Sequence, residues 1–264
     1  MNERPIREDE QYRINKEITE DERKILNKMS LKMDDAVELS MPLVSGYKVG
    51  CVVRGESGEY YLGANLEVTT HHNLHAEQSA IHNAFIHGEG IITHIMISAL
   101  PCGHCRQFLH GMNPDLVIFV DDNKYLLEDL LPEPFSKSDV GINQHFENTT
   151  VFENENHYST FGQASKCCKI SYSPLLNKKG GVCIKTLNGN KYYGSFIEDP
   201  ALSPSILPIM GALSQMCLDE EPFSDIVGIV VVSNDHDYYN MHKLNAMEIA
   251  RYLEIDTNKI SQSE

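Results

Sequence analysis

Two short stretches carry residue types that could do chemistry together: His75-Ala76-Glu77 and, 24 residues beyond Glu77, Pro101-Cys102-Gly103-His104-Cys105. Cysteines three apart at the start of a helix point the same way. Both thiolates can then reach one zinc ion at about 2.3 Å, while a histidine from a second helix end supplies a third corner. His75, Cys102 and Cys105 are therefore the candidate ligands for one Zn2+ per chain. Three protein ligands leave the fourth position to water, which zinc brings toward a pKa of about 7. Helix N-termini beside the sulfurs lower the thiol pKa and offset part of the anionic charge. Glu77 lies two residues beyond His75, near the metal without being needed as a ligand, and is the candidate catalytic proton shuttle. The competing arrangement is a closed structural zinc site, with His104 or Cys51 as fourth ligand and Glu77 only a helix N-terminal acid. Structural ribbons generally use two Cys-x-x-Cys pairs, so one pair beside His-Ala-Glu favours the open, hydrolytic site. His71 and His72 lack ligand spacing and read as exposed loop residues.

The elements that must position these groups follow from hydrophobic periodicity. Val49 to Val53 and Tyr60 to Leu62 read as two strands around a turn at Gly55 to Gly58, and a helix begins near His75. Ile91 to Ala99 reads as a buried strand, Cys102 to Leu109 as a helix after a Pro-Cys-Gly turn, and Leu116 to Val120 as another strand. Strands alternating with helices imply an α/β sandwich. Apolar residues recur at helical intervals from Met33 to Val44. Ile6, Ile14, Ile18 and Ile25 mark one loose helical face in an otherwise charged N-terminal stretch, which reads as a short helical appendage over residues 1–24.

A self-comparison sets the domain organisation. A constant offset of about 131 residues pairs Gly50 with Gly181, Gly58 with Gly189, Tyr61 with Tyr192, Gly63 with Gly194 and Glu67 with Glu198. One further residue of offset places Ala80-Ile81 on Ala212-Leu213, so that His75 falls on Leu207 and Glu77 on Ile209. The second copy keeps turns and core but has lost the polar groups. Residues 25–140 are thus expected to form a catalytic module, 141–156 a linker and 157–264 a non-catalytic copy.

Composition narrows the partners. With 38 acidic and 22 basic residues, the net charge of -16 repels a phosphate backbone, so nucleic acid is not an expected partner and a small molecule is. The N-terminus lacks the apolar stretch of a secretory signal, and the longest apolar run, Ile226 to Val232, is too short to span a bilayer. Seven cysteines in such a chain suit reduced thiols and a cytoplasmic location. Cys51, Cys183 and Cys217 read as small core residues, and the vicinal Cys167-Cys168 pair as structural.

Three stretches together resemble the cytidine deaminases of the larger, homodimeric, two-module form: Leu62-Gly63-Ala64-Asn65-Leu66-Glu67, His75-Ala76-Glu77-Gln78-Ser79-Ala80 and Pro101-Cys102-Gly103-His104-Cys105-Arg106-Gln107-Phe108. His-x-Glu followed by Pro-Cys-x-x-Cys is the zinc deaminase signature. The resemblance implies hydrolytic deamination of cytidine and 2'-deoxycytidine in pyrimidine salvage. Glu77 would accept the water's proton and deliver it to ring N3, hydroxide would add at C4, and Glu77 would then pass a proton to the departing amine. It further assigns Asn65 and Glu67 to the ribose 3'-hydroxyl, and the Leu100 carbonyl with the Ala76 and Cys102 N–H groups to the pyrimidine edge. Tyr47 stands where the larger form usually has a Phe against the base, and Phe135 matches a second aromatic of that site. The smaller tetrameric relatives carry Arg directly after the catalytic Glu, where this chain has Gln78. Tyr172 through Leu213 resembles the family's degenerate second module, which lies at the subunit interface. The expected fold is two α/β/α cytidine-deaminase-like modules, each a mixed sheet flanked by helices, after a short helical N-terminal segment. The alternatives are another deaminase of the same fold, acting on a nucleotide, base or aminonucleoside, and a zinc-stabilised interaction module without activity.

Overall fold

Thr19-Glu20-Asp21-Glu22 is a helix start written in four residues. In the computed structural model, which describes residues 16–143, 146 and 159–261, it opens α1 (Glu20–Glu38). The Thr19 hydroxyl accepts the Glu22 N–H at 3.3 Å, and the Glu22 carboxylate accepts the Thr19 N–H at 2.9 Å, which satisfies two otherwise unpaired donors. Leu26, Met29, Met33 and Ala36 line the buried face of α1, with Ile18 and Ile25 at its edge. The helix thus runs across the expected boundary at residue 24 and ends before the expected helical stretch from Met33 to Val44 does, because Met41–Pro42 turns into a short strand. Ile6 and Ile14 lie outside the described residues, as does most of the expected linker.

The first sheet contains β1 (Gly50–Gly55), β2 (Tyr60–Ala64), β3 (Ile92–Ile97), β4 (Val117–Val120) and β5 (Asn123–Leu126), in the order β2-β1-β3-β4-β5. Only β3 and β4 run parallel. Their connection is α3 (Gly103–Met112), while α2 (Ala76–Ile86) joins β2 to β3. α1 covers one face, packing on Val52, Met96 and Phe119. α2 lies against Cys51, Val53 and Ile95 on the other face.

The second module repeats the plan. α4 (Thr160–Ile170), β6 (Gly180–Thr186), β7 (Lys191–Ser195), α5 (Pro208–Leu218), β8 (Ile226–Ser233), α6 (His236–Tyr252) and β9 (Ile260–Ser261) build a sheet of order β7-β6-β8-β9. The duplication extends to atomic constraints. Gly58 and Gly189 take positive φ, +93° and +85°, in the two hairpin turns. A Cβ on Gly63 would collide with the backbone of Ala76 and Ala80, and one on Gly194 with that of Pro208 and Ala212. Each hairpin therefore lets its helix approach only because the position is glycine.

One apolar core runs through both modules, from Ile95 and Phe85 in the first to Ile184, Ile209 and Leu213 in the second. α2 and α5 lie side by side at its centre. Across that seam the Ser79 and Ser214 hydroxyls meet at 2.7 Å, and the Ser195 N–H donates to His82 Nε2 at 3.2 Å. Burial drives the His82 pKa down to about 3, so the ring is the neutral acceptor that this contact needs. Gly211 faces the same ring, with no room for a Cβ. Gly211→Ala is accordingly expected to destabilise the fold by about 1 to 3 kcal/mol, lowering Tm by several degrees. A thermal melt unchanged from wild type would contradict this packing.

Candidate active site

Each candidate ligand sits at a helix start. His75 is the N-cap residue of α2, and its backbone N–H donates to the Gln78 side-chain oxygen at 3.1 Å. Gln78 is held in turn by donating from its amide nitrogen to the Pro204 carbonyl of the second module, at 2.8 Å. Cys102 is the N-cap residue of α3 and Cys105 lies in its first turn, so the i, i+3 spacing brings both sulfurs to one side. Arg106 braces the turn before them, donating to the carbonyls of Pro101 at 2.9 Å and Leu130 at 2.8 Å.

His75 Nδ1 lies 3.1 Å from Cys105 Sγ and 3.4 Å from Cys102 Sγ. The three donor atoms fall within 4.8 Å of one another, and among the described residues they form a group of three rather than four. One imidazole and two sulfurs at this separation suit zinc, with one position left open. Contacts from Cys105, and then from His75, hold the Cys102 thiol down to about 3; the same pairing with Cys102, followed by burial, pushes the Cys105 thiol up. Cys51 is fully buried in the core and the His104 ring lies tilted at 5.2 Å from the His75 ring; neither joins the group.

Glu77 is 4% exposed and hydrogen-bonds to Cys105 and its own N–H. Burial raises its pKa. A carboxyl held in that state can both take and return a proton. The group opens onto a cavity of about 360 Å³ whose walls include His75, Glu77, Cys102, Asn65, Glu67 and Tyr47, a size suited to a small molecule.

Asn65 and Glu67 form the far wall, and each also organises the loop in front of it. The Asn65 side chain accepts from the Val49 N–H and donates to the Tyr47 carbonyl, both at 2.9 Å. Glu67 accepts the Ser45 N–H and hydroxyl, each at 2.7 Å, and the Val44 N–H at 3.3 Å. These bonds outweigh partial burial and lower its pKa, so the carboxylate is ionised at neutral pH. Ala76 and Leu100 also line the cavity, and Ala76, as the first residue of α2, has an N–H with no helical partner. Phe135 does not line it; the ring is 44% exposed and its carbonyl accepts from Gln107 at 2.7 Å.

His72 corrects the sequence reading. It is buried, with Nδ1 at 3.3 Å from the Thr69 hydroxyl and Nε2 at 3.0 Å from Asn245 Oδ1 on α6, whereas His71 is exposed. Its partner lies 173 residues away, which no local pattern announces. The Gln78 bond did have a local signal, since N-cap-x-x-Gln is the spacing of a capping box. At the matching place in the second module, Leu207 caps α5 and Ile209 is buried where Glu77 stands in the first. Glu198 nonetheless still accepts the N–H groups of Leu175 and Leu176, as Glu67 accepts those of Val44 and Ser45.

Two family models described as the cytidine and deoxycytidylate deaminase zinc-binding region match the chain, one over residues 24–121 and one over 127–245. A cytidine deaminase of Shewanella halifaxensis is 32% identical over 212 residues, covering 75% of this chain and 70% of that protein. One from Shewanella oneidensis is 32% identical over 207 residues with the same coverage. A crystal structure of cytidine deaminase from Mycobacterium tuberculosis aligns at 25% identity and a TM-score of 0.40, covering 42% of this chain and 96% of that one.

Proposed function

The chain belongs to the cytidine and deoxycytidylate deaminase family, and from that premise we propose that it hydrolyses cytidine and 2'-deoxycytidine to uridine and 2'-deoxyuridine, releasing ammonia in pyrimidine salvage. One observation carries the reading: a three-member His/Cys/Cys group and the buried Glu77 share a cavity with the Asn65–Glu67 pair. His75, Cys102 and Cys105 are the residues that would hold zinc. Bound there, zinc supplies Lewis acidity and lowers the pKa of a water at its open position. Glu77 takes a proton from the attacking water and passes it to ring N3 as the water oxygen bonds to C4; it then takes the proton of the new C4 hydroxyl and delivers it to the amine, so that the C4–N4 bond breaks, the C4 carbonyl forms and ammonia leaves. Tyr47 stacks against the base. The Leu100 carbonyl and the N–H groups of Ala76 and Cys102 read the edge of the ring, and Asn65 with Glu67 fixes the ribose 3'-hydroxyl as donor and acceptor. Phe135 is not among the residues that line the cavity in the single chain.

Leu43, Val44, Tyr47 and Leu100 leave an exposed apolar rim around the cavity mouth, which supports a homodimer in which a second chain covers it. Light scattering that returned only the 29.8 kDa monomer would count against that assembly. Among the described residues no helix is long and apolar enough to cross a membrane. Seven cysteines, two of them candidate zinc ligands, suit the reducing cytoplasm as thiols.

The test of substrate and site is an ammonia-release assay over cytidine, 2'-deoxycytidine and 3'-deoxycytidine. The first two should turn over with similar efficiency. The third should be about 10- to 100-fold worse, because a polar pair built to bind a hydroxyl is left without it. No release from cytidine would refute the function, and full activity on the 3'-deoxy compound would remove Asn65 and Glu67 from sugar recognition.

A further inference from the structure

Between Glu67 and His75 the chain makes one excursion, residues 68–74, which supplies Thr69, Thr70, Asn73 and Leu74 to the cavity wall. Thr69 shapes it from within. Its hydroxyl oxygen accepts the N–H groups of His71 and His72, at 3.1 and 2.9 Å, and the N–H groups of Val68 and Thr69 donate to the His72 carbonyl at 3.0 Å. An oxygen that accepts twice still has its own proton to give, and His72 Nδ1 is the group in reach. Nδ1 is therefore the acceptor and Nε2 carries the ring proton, which it donates to Asn245 Oδ1 at 3.0 Å. The Asn245 amide nitrogen donates to the Met241 carbonyl at 2.9 Å, which turns the oxygen toward His72. Glu248, on the same helix, stands 4.0 Å from Nε2. The excursion is thus hydrogen-bonded to the second module through the buried ring of His72, beside the packing of Asn73–Leu74 near α5.

We propose that Asn245 is a positioning residue for the substrate cavity: through His72 it holds the wall at residues 68–74 against the nucleoside, so that the non-catalytic module sets substrate affinity. This rests on the deaminase reading above. The effect belongs on binding rather than chemistry, because His75 is tethered separately through Gln78 and Pro204. Removing an interaction made equally in ground and transition states raises KM and spares kcat.

The experiment uses the zinc-loaded full chain with cytidine. A wild-type chain that releases no ammonia brings down the deaminase reading and the proposal with it. With an active wild type, Asn245→Leu and His72→Leu should each raise KM about tenfold while kcat stays within about twofold and zinc stays at wild-type content. The double variant should be no worse than His72→Leu, which already removes the bond to Asn245. His72→Gln, which keeps an N–H near the position of Nε2, should restore a near-wild-type KM. An unchanged KM in folded, zinc-replete Asn245→Leu would overturn the proposal and leave the deaminase reading intact. A fall in kcat that follows zinc loss would do the same. Should Asn245→Leu fail to fold, the KM of His72→Phe against that of His72→Gln decides.

Discussion

Replacing Glu77 with Gln is expected to leave zinc bound at wild-type content while lowering kcat by about 10²- to 10⁴-fold. The amide keeps the shape of a side chain that is 4% exposed and can keep a hydrogen bond to Cys105, so the ligand group of His75, Cys102 and Cys105 is undisturbed. What it cannot do is take a proton from water and hand it on. Burial raises the pKa of the Glu77 carboxyl, which makes the carboxylate a stronger base and favours its taking that proton. Metal analysis beside the rate of ammonia release separates the two effects. A Glu77→Gln enzyme within tenfold of wild type would show that proton transfer runs through another group, and one that had lost its zinc would show that Glu77 supports the metal site.

Expression of residues 1–156 alone should yield an inactive or aggregated protein, although every group with chemistry lies within them. α2 is the reason. It is buried on nearly every side, and the second module covers its polar positions: Gln78 meets the Pro204 carbonyl, Ser79 the Ser214 hydroxyl and His82 the Ser195 N–H. Truncation would expose this seam together with the apolar surface continuous with Ile209 and Leu213. Pairing of two catalytic modules would not repair it. At the offset of 132 residues that matches the two helices, position 79 of one module packs on position 82 of the other, as Ser79 does on Ser214 and Gly211 does on His82. A self-paired catalytic module would set Ser79 against His82, where even a Cβ has no room. Solubility, mass in solution, zinc content and deamination of the fragment are the readouts. A soluble, fully active fragment would show that the second module is dispensable.

The parts of the molecule legible in the sequence are those governed by short-range geometry. Cys102 and Cys105 share one side because residues three apart in a helical turn do so, and His75-Ala76-Glu77 meets the metal at a helix start for the same local reason. The duplication was visible because hairpin turns need positive φ at Gly58 and Gly189 and close helix approach needs Gly63 and Gly194, constraints that each copy must meet alone. The start of α1 was also written locally, in the Thr19–Glu22 box, yet the charge of residues 20–24 hid it. A helix with one apolar face looks polar until the sheet it covers is known.

Tertiary structure alone decided the rest. His72 reads as an exposed loop residue because its sequence neighbours are polar; it is buried because α6, 173 residues on, brings Asn245 to its ring. Phe135 lies off the cavity because Gln107 and the chain around it set its place. That the two modules share one core, with His82 fitted over Gly211, depends on packing two sheets and their helices at a distance no periodicity encodes. Local covalent geometry prescribes which residues can act together on an ion, whereas the walls that present a substrate to them are made of contacts between chain segments far apart, and only folding selects those.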